Sequence, residues 1–304
     1  MKGLYTFTGG DVDLLAFNPF GEIKLQSTLS LESTEHFPDL DKLNSLYYII
    51  DPQLFQEKIN STRLQLAFSL NEFNNLRPTP KSVKLYSKGA HIDFEVTDYA
   101  QTKIIQDLWS HFYKNNRTKI LNGNHKNIPF LAKSFGANLL VKTSDNSIVI
   151  TKRSKKTRNF SGLSHVSTSE GSSLLDVFGT TVDLKNIFVR SAREELGVDL
   201  DSSEIQVNAL FLALNTYQYG LSGYADLTNH GITSSELKEI ASKATDAWEN
   251  EQLITIKLST LPSLLEEEKQ FIPFGFLTLL LNLHNLDSDL IPLQSSLLTK
   301  YNAV

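Results

Sequence analysis

The chain contains no cysteine among its 304 residues. Without thiols it can form neither a disulfide framework nor a zinc site with thiolate ligands, and it cannot use a cysteine nucleophile. It also lacks an excess of positive charge, because its formal net charge is −5. A general nucleic-acid-binding surface requires a basic face, so nucleic acid is not an expected partner, and local basic clusters indicate local anions.

Long hydrophobic runs are also missing. The first residues have no sustained apolar core of the kind found in a signal peptide. The longest apolar stretch, residues 271–286, is interrupted by Pro273, Gly275 and His284 and is too short to span a membrane. We therefore expect a soluble, intracellular protein of the cytoplasm, with no membrane partner.

The length exceeds that of one typical domain, which favours two. Residues 115–127 are polar and broken by Gly123, as a linker would be. We predict an N-terminal α+β domain over residues 1–120, a linker over 121–134, a second domain over 135–286 and a loosely determined tail over 287–304.

Alternating and periodic apolar positions predict the elements of the first domain. Strands are expected at residues 4–7, 14–17, 22–29, 63–70, 82–86 and 91–96. Helices are expected at 41–48, 52–59 and 97–113, and the Arg-Pro-Thr-Pro segment at 77–80 is expected to be a stiff connector. No part of this domain has catalytic spacing, so its expected role is to cover the second domain or to shape its entrance.

The second domain begins with a predicted β-hairpin, formed by strands at 137–142 and 147–152 around a turn at 144–146. Further strands are expected at 208–214, 223–227 and 253–258, with an apolar helix at 271–286. Alternating strands and helices of this kind predict an α/β or α+β fold.

A helix is predicted between Asp183, which can cap its N-terminus, and Gly197, which can end it in the left-handed conformation. Leu184, Ile187 and Phe188 recur at helical spacing and should face the core. A polar strip lies beside them and consists of Arg190, Ser191, Glu194 and Glu195.

Glu194 and Glu195 are adjacent and would repel each other unless a positive charge lies nearby. A hard divalent cation such as Mg²⁺ binds oxygen ligands and keeps positions for water or phosphate oxygens. The two glutamates are therefore predicted metal ligands. A solvated helix end is the alternative, and most Arg-Glu-Glu runs have that role.

A basic cluster follows the predicted hairpin, with five cations in the seven residues 152–158. It can be a solvated loop, but in an acidic chain, just before the carboxylate helix, it is better interpreted as a phosphate clamp. Arg153 is the first candidate because a guanidinium can bind phosphate oxygens at two points. Lys152 and Arg158 are further candidates for substrate binding.

Two loops supply the remaining candidates. Tyr217 and Tyr219 could stack on a nucleobase, although packing in the core is the commoner role of such tyrosines. The second loop contains the acids Asp246, Glu249 and Glu251, which can be functional carboxylates or acids of a solvated loop.

Residues 190–198 resemble the second half of a Nudix box, whose pattern is Arg-Glu-apolar-x-Glu-Glu-x-Gly-apolar. Arg190, the paired glutamates and Gly197-Val198 match this pattern. Ser191 departs from it, because the family has its first metal-binding glutamate there. The front half also departs. Family members usually have a Gly-Gly turn and a glutamate upstream, whereas here residues 166–171, which include Glu170 and Gly171 as candidates for related roles, lead into a longer loop.

The order of segments is most similar to the UDP-glucose diphosphatase branch of Nudix hydrolases. The segments that carry this likeness are residues 135–140, 152–154 and 161–163, the long insertion before the box helix, and the closing helix with Pro273. The resemblance implies an α/β/α sandwich with a mixed sheet. It also implies cleavage of UDP-glucose to UMP and glucose 1-phosphate with Mg²⁺, or Mn²⁺ in its place.

In that resemblance Glu194, Glu195 and Glu249 are catalytic. The family often has a further acid, a metal ligand or general base, in a loop opposite the box helix; Glu249 is the candidate for this role, with Asp246 and Glu251 behind it. Arg190 holds the box in shape by pairing with Glu194. Glu170 or Asp183 could supply the carboxylate that Ser191 lacks. Two alternatives stay open: a Nudix domain that has lost catalysis and senses a nucleotide, and an interaction module that works through its first 120 residues.

Overall fold

The computed structural model describes residues 2–30, 52–68, 74–122, 134–155 and 160–302. The predicted helix at 41–48, residues 123–133 of the predicted linker, and Arg158 lie outside these ranges. The elements are numbered below in chain order.

The strands are β1 (Gly3–Phe7), β2 (Gly10–Phe17), β3 (Lys24–Ser30), β4 (Leu76–Tyr86), β5 (Gly89–Asp98), β6 (Phe135–Lys142), β7 (Ser147–Arg153), β8 (Ser164–Val166), β9 (Thr168–Gly171), β10 (Val177–Phe178), β11 (Thr181–Val182), β12 (Gln206–Ala213), β13 (Gln218–Asp226) and β14 (Asn250–Lys257). The α-helices are α1 (Pro52–Ala67), α2 (Tyr99–Leu121), α3 (Leu184–Leu196), α4 (Ser234–Ala241), α5 (Leu261–Leu264), α6 (Pro273–Leu281), α7 (Leu283–Leu286) and α8 (Ile291–Tyr301). Short 3-10 turns occupy Leu174–Asp176, Ser202–Glu204, Leu227–His230, Ala247–Glu249, Leu258–Thr260, Glu268–Gln270 and Ser288–Leu290.

A mixed sheet forms the centre of the fold, in the strand order β1-β2-β12-β13-β6-β7-β14, with β8 paired to β7 and β9 paired to β6. β13 and β6 run parallel, whereas the other neighbours in the sheet are antiparallel. Successive side chains of a strand point to opposite faces, so the apolar strands of this sheet supply two separate cores.

Helices cover both faces of the sheet. On one face, Ile187 and Phe188 of α3 pack with a core that includes Leu139. On the other, α6 packs with a core that includes Leu140 and Ile148. The predicted α+β class and the sandwich of helices around a mixed sheet are therefore confirmed.

The main sheet extends across the predicted domain boundary. β2 pairs with β12, placing Ala16 beside Leu210, so the first two strands of the chain are part of the central sheet. The indole N–H of Trp109 on α2 donates to the carbonyl of Leu214 at 2.5 Å. In the described part of residues 1–120, the three-stranded sheet β3-β5-β4 forms a separate layer of strands.

Three local predictions were wrong. Residues 63–67 belong to α1 and not to a strand, because Ile59, Thr62 and Leu66 are buried at helical spacing. Residues 77–80 belong to β4, which lies at the edge of its sheet, where proline is tolerated because one side of the strand needs no ladder hydrogen bonds. Residues 115–121 continue α2 instead of starting a linker.

The C-terminal segment also has more structure than predicted. Residues 291–301 form α8, and Leu298 of this helix is buried. The ring of Tyr301 lies 5.1 Å from that of Phe7 and 5.7 Å from that of Phe276. None of the helices in the described ranges combines the length and the apolar character that a membrane span needs.

The predicted box helix is confirmed at both ends. The carboxylate of Asp183 accepts the backbone N–H groups of Lys185 at 3.0 Å and Asn186 at 3.2 Å. Gly197 ends the helix with a φ of 69°, a left-handed conformation that favours glycine. The direction of the helix, and with it the position of its last turn, is therefore fixed by local chemistry.

His165 on β8 is buried against the ring of Phe274, at 5.4 Å between ring centroids. Within the described residues neither of its ring nitrogens has a hydrogen-bond partner. Burial, together with the charge of Arg153, lowers the pKa of His165 to about 3. The unfolded chain, where a histidine pKa is near 6.5, therefore takes up this proton first, and stability falls as the pH drops from about 6.5 towards 3.

We expect His165→Leu to remove this contribution, so that the free energy of unfolding decreases less steeply below pH 6.5 than in the wild type. Urea unfolding at pH 7.5, 6 and 5 would measure the difference. The exposed His111→Leu is the control and should leave the slope unchanged. Equal slopes for the wild type and His165→Leu would contradict the assignment.

Candidate active site

Four glutamates near the end of helix α3 lie within electrostatic range of one another. Glu194 and Glu195 come from its last turn, Glu170 from strand β9, and Glu249 from the 3-10 turn before β14. Their charges act on one another, because Glu170 and Glu249 raise the pKa of Glu195, and Glu249 and Glu194 raise that of Glu170. Three separate elements thus bring like charges to one place, which a fold does not do for stability alone.

Glu195 is the most deeply placed of the four, with 4% of its surface exposed. Its carboxylate accepts the backbone N–H of Ser169 at 3.0 Å and the side-chain amide of Asn250 at 3.3 Å. Burial, followed by the charges of Glu170 and Glu249, raises the pKa of Glu195 to about 8. Two hydrogen bonds therefore orient a carboxylate that lacks a full counter-charge.

Glu170 has a similar environment with one cation added. Burial raises its pKa to about 7, although the charge of Arg190 acts in the opposite direction. Arg190 Nη1 lies 3.3 Å from Glu170 Oε1. Because Arg190 is shared with other acids, it does not neutralise Glu170 completely.

Glu249 meets Arg153 at the edge of this cluster. Arg153 Nη2 lies 3.7 Å from Glu249 Oε2, and the backbone N–H of Ser154 donates to the carbonyl of Glu249 at 2.9 Å. Burial raises the pKa of Glu249, whereas Arg153 lowers it and Asp246 and Glu194 raise it further. The candidate base and the first candidate phosphate ligand thus lie side by side.

Arg190 ties the helix to the preceding loop. Its guanidinium donates to Asp176 at 3.2 and 3.0 Å, to the carbonyl of Gly171 at 2.6 Å and to Glu194 at 3.0 Å. The predicted pairing of Arg190 with Glu194 is present. Asp176 is fully buried, so Arg190 balances a charge that water does not reach.

Ser191 makes internal hydrogen bonds at the position where the family has a metal-binding glutamate. It is fully buried, its hydroxyl donates to the carbonyl of Phe188 at 2.9 Å, and it lies 2.8 Å from the hydroxyl of Thr168. Of the two predicted substitutes, Glu170 lies in the cluster. Asp183 caps the other end of the helix, roughly 16 Å away at 1.5 Å per residue.

The predicted stacking role of the two tyrosines is wrong for this structure. Tyr217 has no exposed surface, Tyr219 is buried as well, and the ring of Tyr217 lies 4.8 Å from that of Trp109. Both are core residues, because helix α2 covers the loop that carries Tyr217.

Of the other basic candidates, Lys152 precedes Arg153 on β7, and consecutive strand residues point to opposite faces. Lys152 therefore does not share the face of Arg153. Arg158 lies outside the described residues.

Sequence reasoning missed three residues of the site: Arg77, Asp176 and Asn250. Arg77 comes from β4, and burial lowers its pKa while the charges of Tyr99 and Glu170 raise it. The Ser173-x-x-Asp176 spacing is a capping-box pattern, which the structure bears out. That pattern could have marked Asp176 as ordered, but not as a partner of Arg190.

The donors of the cluster suit a hard divalent cation. Carboxylate oxygens are the ligands that Mg²⁺ prefers. Burial, with the charges of neighbouring glutamates as a further cause, raises the pKa values of Glu170 and Glu195, and a cation bound between them would oppose that effect. Within the described ranges, no three acids or histidines already stand together as a metal-ligand group. Side-chain movement would therefore be needed before these glutamates could bind one cation together.

We expect Arg190→Met to lower the free energy of unfolding by about 3 to 5 kcal/mol, because removing one partner leaves buried Asp176 without its counter-charge. Urea unfolding would measure the loss. Arg193→Met is the matched control on the same helix, since the Arg193–Asp199 pair is exposed and should contribute less than about 1 kcal/mol. Similar losses in both variants would contradict the structural role of Arg190.

We expect Glu195→Gln to stabilise the protein at pH 8.5 without divalent cations. The folded-state pKa of about 8 lies above the ordinary value of 4.5, so the wild type loses stability as the pH rises from about 4.5 through 8. The variant should gain about 2 to 4 kcal/mol, since one pKa unit corresponds to about 1.4 kcal/mol.

Thermal unfolding at pH 5 and 8.5 would measure this gain, which should be large only at the higher pH. The exposed Glu266→Gln is the control. A Glu195→Gln variant that is less stable than the wild type at pH 8.5 would contradict the charge deficit.

Comparisons with known proteins do not assign the chain to a family. No protein-family model matches it, and no curated protein does. Among solved structures it is similar to DR0079 from Deinococcus radiodurans, known from a crystal structure at 1.9 Å. The match has 17% identity, covers 48% of this chain and 81% of that chain, and has a TM-score of 0.33. A likeness at this level supports no conclusion about family or activity.

Proposed function

We propose that this protein hydrolyses the diphosphate linkage of a nucleoside diphosphate sugar in a Mg²⁺-dependent reaction of the Nudix type. UDP-glucose is the favoured substrate, with UMP and glucose 1-phosphate as products. The observation that supports this proposal is the convergence of Glu170, Glu194, Glu195 and Glu249 beside Arg153. We also propose the cytoplasm as its location.

The carboxylates supply the first part of the argument. Glu194 and Glu195 on the helix and Glu170 on β9 are the residues that would hold the cation. When bound, Mg²⁺ would offset the negative charge of a diphosphate and lower the pKa of a water molecule. Without a bound cation the cluster lowers the stability of the fold at neutral pH, because it buries like charges together.

Arg153 supplies the second part. Its Nε is buried without a hydrogen-bond partner in the described residues, and its contact with Glu249 is a long 3.7 Å. The guanidinium therefore retains donors for phosphate oxygens, which it can bind at two points. A diphosphate held there would lie against the carboxylate cluster.

The surroundings of Glu249 support its proposed role as general base. Its pKa is raised above the ordinary value, chiefly by burial, and a base works best when its pKa approaches the working pH. It would take the proton of the attacking water, while Glu195, oriented by Ser169 and Asn250, would stay in place as a ligand.

A second candidate function rests on Ser191. Its hydroxyl is occupied by Phe188 and Thr168, so the box helix carries two carboxylates where the family has three. A domain that binds a nucleotide ligand without cleaving it would fit that loss. Glu170, which lies within the cluster, favours catalysis over this alternative.

Release of nucleoside monophosphate from UDP-glucose, ADP-ribose, other nucleoside diphosphate sugars and dinucleotides, with Mg²⁺ or EDTA, would test the proposal. We expect turnover of UDP-glucose that requires Mg²⁺ and falls at least about 100-fold in Glu195→Gln, a loss typical of removing a group that acts on the reacting centre. Glu266→Gln should retain full activity. Product from no compound, with a rise in melting temperature for one of them, would favour the sensing function.

A further inference from the structure

We propose that Trp248 is the platform on which the nucleobase of the substrate stacks. This inference rests on the proposed function and deepens it, because it names the part of the ligand that the turn Ala247–Glu249 would recognise.

The two tryptophans of the chain have opposite environments. Trp109 is 2% exposed within the core, whereas Trp248 is 60% exposed. An exposed large aromatic residue is not unusual by itself. Here, however, it precedes Glu249, a member of the carboxylate cluster.

The turn that carries the indole is fixed to the site. The indole N–H donates to Asp246 Oδ1 at 3.2 Å, and the backbone N–H of Asp246 donates to the carbonyl of Glu194 at 2.8 Å. The backbone N–H of Glu249 donates to the carbonyl of Asp246 at 3.0 Å. The ring is therefore held in relation to helix α3, so a ligand would not have to order it.

The position suits the nucleoside part of the substrate. Arg153, the proposed diphosphate ligand, lies beside Glu249, and the charge of Asp246, which holds the indole, acts on Glu249 as well. Because Trp248 is the residue before Glu249, we assign to its ring one of the two substituents of a diphosphate bound by Arg153.

The flat face of the indole indicates that this substituent is the nucleoside and not the sugar phosphate. Because Asp246 occupies the indole N–H, Trp248 offers its face and no free hydrogen-bond donor. Every nucleobase has a complementary flat face, and stacking on an aromatic side chain tolerates different bases. We therefore expect UMP and AMP both to bind, with AMP at least as tightly because its ring system is larger.

Tryptophan fluorescence and calorimetry with Mg²⁺ present would test the platform directly. UMP and AMP should quench the emission of the wild type, whereas glucose 1-phosphate should not. In Trp248→Ala the Kd of UMP should rise about tenfold, which corresponds to about 1.4 kcal/mol. Trp248→Phe should show a smaller rise, and Phe20→Ala, at another exposed aromatic residue, should show none.

The platform would be overturned if UMP failed to bind, if it bound with unchanged emission, or if Trp248→Ala bound it like the wild type. Quenching by glucose 1-phosphate alone would assign the ring to the sugar and would also overturn it. The hydrolysis assay separates the two proposals. Turnover without quenching refutes only the platform, and quenching by UMP without turnover refutes only the catalysis.

Discussion

The buried interaction between Arg190 and Asp176 is the constraint on which the site depends. Asp176 is removed from water, so the fold is stable only with a cation beside it. Because the same guanidinium binds the carbonyl of Gly171 and the carboxylate of Glu194, one side chain fixes the end of β9 relative to the last turn of α3. Glu170 and Glu195 come from these two elements. The distance between them is thereby set by an interaction that takes no part in the proposed chemistry.

In electrostatic terms the site has two parts: the acids that pair with Arg190, and Glu195, which lacks a full counter-charge. Arg190 pairs with the acids that shape the loop. The pKa of Glu195, in contrast, is raised by burial and by the charges of Glu170 and Glu249, which outweigh the lowering effect of its hydrogen bonds with Ser169 and Asn250. Such an arrangement lowers stability when the cluster stands alone, and a bound cation would reverse that effect. In the proposed enzyme, stability and cation binding are therefore linked, as is common where a ligand binds only the folded state.

Features encoded within a few residues could be predicted, and features that depend on distant contacts could not. Asp183 and Gly197 determine the ends of α3 locally, and the turn at 144–146 determines its hairpin in the same way. Tyr217 becomes a core residue only because Trp109, more than one hundred positions earlier, packs on it. Glu249 was identified through family resemblance, but the placement of Arg77 near Glu170 and of Asp176 beside Arg190 requires the tertiary fold. The helical burial of Ile59, Thr62 and Leu66 was hidden by an apparent alternation over residues 63–70.

The pairing of β2 with β12 has a consequence for the order of folding. During synthesis, Val12, Leu14 and Ala16 leave the ribosome long before residues 206–213, with which they pair. Until then, the hairpin formed by β1 and β2 has an unpaired edge with apolar side chains, and this edge can pair with the wrong strand. Contacts so distant in sequence also slow folding, because a long loop must close before they stabilise anything. The nascent chain therefore stays vulnerable to aggregation until most of it has been made.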